Sequence, residues 1–259
     1  MRQKTAFILG TVLSLAAAGA ARADGYQLNK SFDLGSGGTF RLSTEAGGAE
    51  VRGGDGEKAT VVITAKRSDF EEKYDVIIEE AKGSLEVTIE RKGRRLFSWD
   101  WNEGAHVAVT LPRHTSATIK SSGGGVEIEG LEGNVEARSS GGGVEVLDVV
   151  GDVVAASSGG GVDIERIKGG AKIDSSGGSV SARNVAGDID AGSSGGGVRI
   201  AEAGGMVVAS SSGGGVSVGF AAGNAKGGDI HSSGGGVTAK VDPTLGLEID
   251  AYASGGDAD

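Results

Sequence analysis

The residues most able to do chemistry recur at a fixed interval. Ser-Ser-Gly-Gly begins at Ser121, Ser139, Ser157, Ser175, Ser193 and Ser211, a spacing of 18 residues, and again at Ser232, three residues late. A column of hydroxyls serves nucleophilic catalysis only if each has a base within hydrogen-bond reach and a third group to orient that base. The histidines are His106, His114 and His231, and only His231 stands beside a repeat serine, Ser232. The serines are therefore read as turn formers that bond their own backbone, and no catalytic residue is assigned.

Glycine-rich repeats that carry Asp also suggest calcium. The calcium-binding nonapeptide solenoid needs an Asp in every unit, because calcium takes six or more oxygens. Here Gly-Asp turns occur at Asp152 and Asp188, and the equivalent positions hold Asn134, Gly170 and Met206. No metal and no cofactor is expected. Two other groups stand out. Glu127, Glu145 and Asp163 share one position in successive units and form an acidic ladder, in which like charges one strand apart repel. Arg138, Arg166 and Lys168 are near enough in sequence to relieve it, and a bound cation or basic partner is the alternative. Phe97, Trp99 and Trp101, at alternating positions of one segment, share a strand face. If exposed, they form a platform for a sugar ring or a partner; if buried, they fill the core of a wide coil.

The element that must position these residues is the repeat itself. After each glycine pair comes a short alternating strand: Val126 and Ile128, Val144 and Val146, Val162 and Ile164. One further apolar residue follows (Leu131, Val149, Ile167, Val185, Ala203), then a Gly-led turn, then a second alternating strand such as Val135 and Ala137 or Val153 and Ala155. A unit this small cannot bury enough surface alone, so each must pair its backbone with the units above and below. Equivalent positions then stack about 4.8 Å apart. The expectation is an all-β chain, a single β-solenoid of 18-residue coils with two short strands per coil. A left-handed hexapeptide helix fails, because Glu132 and Arg138 fall where it needs apolar residues. A flattened two-sheet coil fits, of either hand.

The chain divides into three segments. Residues 1–23 read as a secretory signal peptide: Arg2 and Lys4, an apolar run from Ala6 to Ala20, and an Ala21-Arg22-Ala23 cleavage signature. Residues 24–118 read as longer, irregular β coils that start the solenoid and cap it. They include a degenerate repeat from Ala46 to Gly53. Residues 119–259 read as the regular Ser-Ser-Gly-Gly coils. The last copy is degraded, Ala253-Ser254-Gly255-Gly256, and the chain stops at Asp259 after starting another coil. An open final coil of this kind could stack end to end on a second copy.

With 25 basic and 35 acidic residues the formal charge is −10; without Arg2, Lys4 and Arg22 it is −13. Such a chain is not held by nucleic-acid phosphates or anionic headgroups. The absence of cysteine removes disulfides, thiolate chemistry and a lipidated anchor. The 50 glycines follow no triplet period, which excludes collagen. No second long apolar stretch follows the first, so no membrane span is expected.

The stretches "TEAGGAEVRGGDG" and "HVAVTLPRHTSATIKSSGGGVEIEGLEGNVEARSSGGGVEV" resemble the bacterial putative-adhesin family of exported β-strand-repeat proteins, catalogued as a domain of unknown function. The resemblance covers nearly the whole chain after the leader. It rests on a Leu111-Pro112 strand end followed by stacked Ser-Ser-Gly-Gly coils, and it implies architecture rather than chemistry. The function expected is a non-enzymatic structural or adhesin-like surface or periplasmic module, with a glycan or protein of the cell surface as partner. The alternatives are a self-associating scaffold and, behind it, a polysaccharide-active parallel β-helix enzyme. Such enzymes build their clefts from long loops. Here the only extra residues lie at Ala221–Lys226 and near Pro243, and they carry no carboxylate pair.

Overall fold

The computed structural model describes residues 11–12, 25–93, 104–244 and 246–259. It is a two-sheet β-solenoid. From residue 116 onward the chain alternates between the two sheets, of 12 and 11 strands among the described residues, and every pairing in this region is parallel. The register is kept except for a shift between Ile200 and Ala203, where Val198–Ala203 meets Val216–Phe220. Val126 lies over Val144, Val144 over Val162, and so on to Val216 over Val237, in the 11-stranded sheet. In the other sheet Ser121, Ser139, Ser157, Ser175, Ser193, Ser211 and Ser232 form a single column. The valines of the first column are 2% exposed or less, so the core is a thin stack of Val, Ile and Ala between the sheets.

The inward apolar residues in each first strand are spaced two and then three, as in Val144, Val146 and Val149. The backbone explains the change of period. Gly130, Asp148, Arg166, Asn184 and Glu202 form one column in the left-handed region, with φ between 54° and 75°. The left-handed residue swings the chain so that Leu131, Val149, Ile167, Val185 and Ala203 also point inward. For a side chain other than glycine this conformation costs on the order of 1 kcal/mol. Asp148 and Arg166 meet across adjacent coils in a two-pronged ion pair at 2.6 and 2.9 Å. The guanidinium holds the Asp148 carboxyl below the usual carboxylate range.

The N-terminal segment differs from simple winding. The coil made by Thr39–Thr44 and Gly47–Gly54 is not at the end of the stack but inside it. On one side it takes Ser84–Arg91 and Ala105–Pro112 in parallel, and on the other it takes Ser116–Ser121 and Val126–Glu129. Beyond that, Lys58–Ala65 pairs antiparallel with both Tyr26–Asp33 and Ala105–Pro112, and Tyr74–Ala81 pairs antiparallel with Ser84–Arg91. The pair Thr11–Val12, within the segment read as a leader, lies antiparallel to Glu79 and Glu80. So the N-terminal strands cap the stack, but by antiparallel pairings in place of successive parallel coils. Tyr74–Ala81 and Ser84–Arg91 form a hairpin with a local connection, whereas each pairing of Lys58–Ala65 joins strands that have two further strands between them in the chain.

The cap requires one crossover. After Pro112 the chain steps over the edge of the inner coil and continues on its far side. Arg113 N–H donates to Gly54 O at 2.9 Å, Gly37 N–H to His114 O at 2.7 Å, and Ser116 N–H to Gly38 O at 3.1 Å. Gly37 has φ of +78°, a conformation suited to glycine. Thr115 at this step is fully buried, and its hydroxyl has no hydrogen-bond partner among the described residues. No helix among the described residues is long and apolar enough to cross a membrane.

Candidate functional site

The repeat serines are built into the backbone. Ser157 Oγ donates to Gly142 O of the preceding coil at 2.7 Å and accepts from Gly160 N–H of its own turn at 2.9 Å. Ser139, Ser175, Ser193, Ser211 and Ser232 do the same with their own glycines. Each hydroxyl is buried and has its donor and acceptor roles filled. Ser232 does not meet His231, since successive strand residues face opposite ways and the imidazole lies 3.6 Å from Asp229 instead. The turn-forming reading of these serines therefore holds.

The Gly-Asp turns are used in the same manner. Asn134 Oδ1 accepts from Asp152 N–H, Asp152 Oδ1 from Gly170 N–H, and Asp188 Oδ1 from Met206 N–H, at 3.1, 2.8 and 2.8 Å. Each acid or amide caps the next coil. The Met206 amide, and behind it Lys226, hold the Asp188 carboxyl below its usual range. Among the described residues no three His, Asp or Glu side chains converge on a metal-sized site.

Glu127, Glu145 and Asp163 are direct neighbours on the outer face of the 11-stranded sheet, and Glu50 of the inner coil extends the row. Beside it runs the column Gly48, Gly125, Gly143 and Gly161, which has no side chains. Together they make an open groove of about 620 Å³ along the stack, with His106 at one end. The groove's sequence signal is a glycine two residues before an acid in three successive units, Gly125 and Glu127, Gly143 and Glu145, Gly161 and Asp163.

Two of the three cations expected to relieve the ladder are engaged elsewhere. Arg138 pairs with Glu136 on the opposite sheet at 2.8 Å, and Arg166 pairs with Asp148. The relieving group is Arg52, which the sequence reading did not single out. It lies 2.8 Å from Glu50 and 3.9 Å from Glu127, and His106 lies 3.2 Å from Glu50. These contacts neutralise only the cap end. Glu145 and Asp163 have no ion-pair partner among the described residues.

The three-residue insertion at Ala221–Lys226 builds no cleft. Asn224 is buried and donates to Ala203 O and Gly205 O at 2.6 and 2.8 Å, plugging the turn. Phe97, Trp99 and Trp101 lie outside the described residues. An aromatic pair lies on the last two coils. His231 and Tyr252 are cross-strand neighbours on the outer face of the 12-stranded sheet, with ring centroids 6.5 Å apart.

With this geometry in place, the comparisons become specific. A family model described as Toastrack DUF4097 matches residues 41–249. The chain belongs to this family. The match spans the inner coil, the crossover and the regular coils of the Toastrack fold, and leaves out the outermost cap strand. No curated protein matches the sequence. Solved structures do. One from Parabacteroides distasonis, described as a putative lipid binding protein, is 11% identical, with TM-score 0.49 over 90% of this chain and 96% of that one. A putative adhesin from Bacteroides fragilis is 13% identical, with TM-score 0.40 over 90% and 96%. A putative cell adhesion protein from Clostridium sporogenes is 11% identical, with TM-score 0.34 over 90% and 97%.

Proposed function

We propose that this Toastrack chain is an exported, non-enzymatic module that offers the flat outer faces of its two sheets to a component of the cell surface. The observation that supports this most is the use made of the repeat's polar atoms. The first hydroxyl of each Ser-Ser pair is buried and bonds the backbone, and the turn carboxylates cap the next coil, so these groups stabilise coils, while the second serines stand exposed. The side chains left over are ranks on open faces. Ranks at about 4.8 Å intervals suit contact with an extended or repeating partner. Regular coils without long excursions also lack the walls that exclude water from a reaction. The leader-like residues 1–23 support export.

The test has two arms. In cells, fractionation should place the chain outside the cytoplasm, shortened by its leader. In vitro, the purified chain should bind cell envelopes saturably and release no soluble fragments. Release of reducing sugar ends, lost on a single carboxylate change, would overturn the reading.

Self-association is the second reading. It is favoured by the strand Ile249–Ala253, which pairs with Gly228–Ser232 on one edge and has no partner on the other among the described residues. Glu248, Asp250, Asp257 and Asp259 cluster there and oppose it, since charge on an edge strand discourages pairing. Sedimentation at several concentrations decides: a strict monomer removes this reading.

A further inference from the structure

The outer face of the 12-stranded sheet changes character at its last two coils. Asp229 and Asp250 are direct cross-strand neighbours, and His231 and Tyr252 are the next outward pair. Tyr252 is 60% exposed, the only aromatic among the large apolar side chains that stand exposed in the described residues. His231 tilts toward it at 57°, and His231 Nε2 lies 3.6 Å from Asp229. Asp250 has no ion-pair partner among the described residues. In the column that leads to His231, the two preceding positions are Ser210 and Gly192. The face therefore steps from a serine and a glycine up to two rings, with carboxylates alongside.

We propose that this ledge binds a neutral pyranose unit of a surface glycan. The proposal rests on the reading of the outer faces as binding surfaces. A pyranose has an apolar C–H face and a rim of hydroxyls. The face can lie on the Tyr252 ring, an arrangement that aromatic side chains favour. The rim hydroxyls can donate to the Asp250 carboxylate, which only accepts. Residues two apart on a strand lie about 7 Å from each other, so a ring stacked on Tyr252 brings its hydroxyls toward Asp250. The low Ser210–Gly192 side leaves room for the next unit of the polymer. Charge narrows the class. A chain of net charge −10, with two carboxylates at the site, repels uronic or sialic acids. Half of the local charge already faces His231. A small ammonium would be satisfied by Asp250 alone and would not use the ledge.

The experiment is saturation-transfer NMR on the full chain. The probes are methyl glycosides of glucose, galactose and N-acetylglucosamine, and their neutral tetrasaccharides, with a galacturonate tetramer and choline as comparisons. Transfer to at least one neutral glycoside and its tetramer is expected. Tyr252→Ala should weaken binding about tenfold, the loss of one aromatic contact. Tyr252→Phe should retain it, and Asp250→Asn should weaken it severalfold. Because Tyr252→Ala could fray the last coil, Asp250→Asn and Tyr252→Phe keep the test independent of folding. The proposal is overturned if no neutral glycoside receives saturation, or if choline or the acidic tetramer is preferred. It is equally overturned if Tyr252 and Asp250 variants bind as the parent does, or if binding follows Trp99→Ala or Trp101→Ala instead. Loss of this result with envelope binding intact removes the glycan ledge alone; loss of both removes the functional reading.

Discussion

The hydroxyl of Ser157 donates to the carbonyl of Gly142 in the coil before it, across 2.7 Å, while the amide of Gly160 donates back to the same hydroxyl. One side chain thus closes its own turn and joins two coils. Ser157→Ala leaves a buried N–H and carbonyl without this partner, which costs about 1–3 kcal/mol. Ser158, its exposed neighbour, should tolerate alanine within about 0.5 kcal/mol. Urea unfolding of the two variants checks this. Equal effects would contradict the ladder.

The glycines differ within one turn. A Cβ on Gly160 would meet Gly143 N at 2.5 Å and the Gly142 carbonyl carbon at 2.7 Å, both backbone atoms of the coil beneath. A Cβ on Gly143 would come no closer than 3.2 Å, to Gly161 O. The equivalent column already holds Ser179. Gly160→Ala should therefore cost about 1–3 kcal/mol by overpacking, and Gly143→Ala clearly less. Thermal unfolding gives the order.

Thr115 carries a hydroxyl that is buried at the crossover and has no partner among the described residues. Replacing it with the isosteric Val removes a polar group that gains nothing from burial. Thr115→Val should leave stability unchanged or raise it by about 1 kcal/mol. A loss of stability would mean that the crossover is held differently.

Asp188 gives a pH signature. The Met206 amide and Lys226 depress its folded pKa. A depressed carboxyl contributes stability above its ordinary value, near pH 4, and loses it as pH falls through the folded value. Asp188→Asn keeps an acceptor for Met206 N–H, as Asn134 does for Asp152. The variant should match the parent at neutral pH and lose stability less steeply below pH 4. An unchanged acid limb in unfolding measurements would contradict this role.

These expectations divide by what the sequence can express. The 18-residue spacing makes Val126, Val144 and Val162 equivalent, and equivalence in a chain too thin to fold by units leaves stacking as the only outcome. The acidic ladder follows from the same spacing. The left-handed column was harder to read, because Asp148, Arg166 and Glu202 do not advertise that conformation as Gly130 does. Its trace was the three-residue step from Val146 to Val149. The inner coil left a trace in the degenerate repeat from Ala46 to Gly53, but its place inside the stack was not legible. Val61, Ile63 and Val107 alternate identically whether their strands pair parallel or antiparallel, so the pattern carries no order. The relief of Glu127 by Arg52 depended on that same order, because 75 residues separate them in the chain.

The account stands on coils stacked directly above one another, and inter-spin distances measure this most directly. Glu127, Arg199 and Thr238 occupy one outward column, with four coil steps from the first to the second and two more to the third. Spin labels at 127 and 199 should lie about 19 Å apart, and labels at 127 and 238 about 29 Å apart, each with a narrow distribution. Distances that fail to grow in proportion to the number of coils, or broad distributions at both pairs, would contradict the stack.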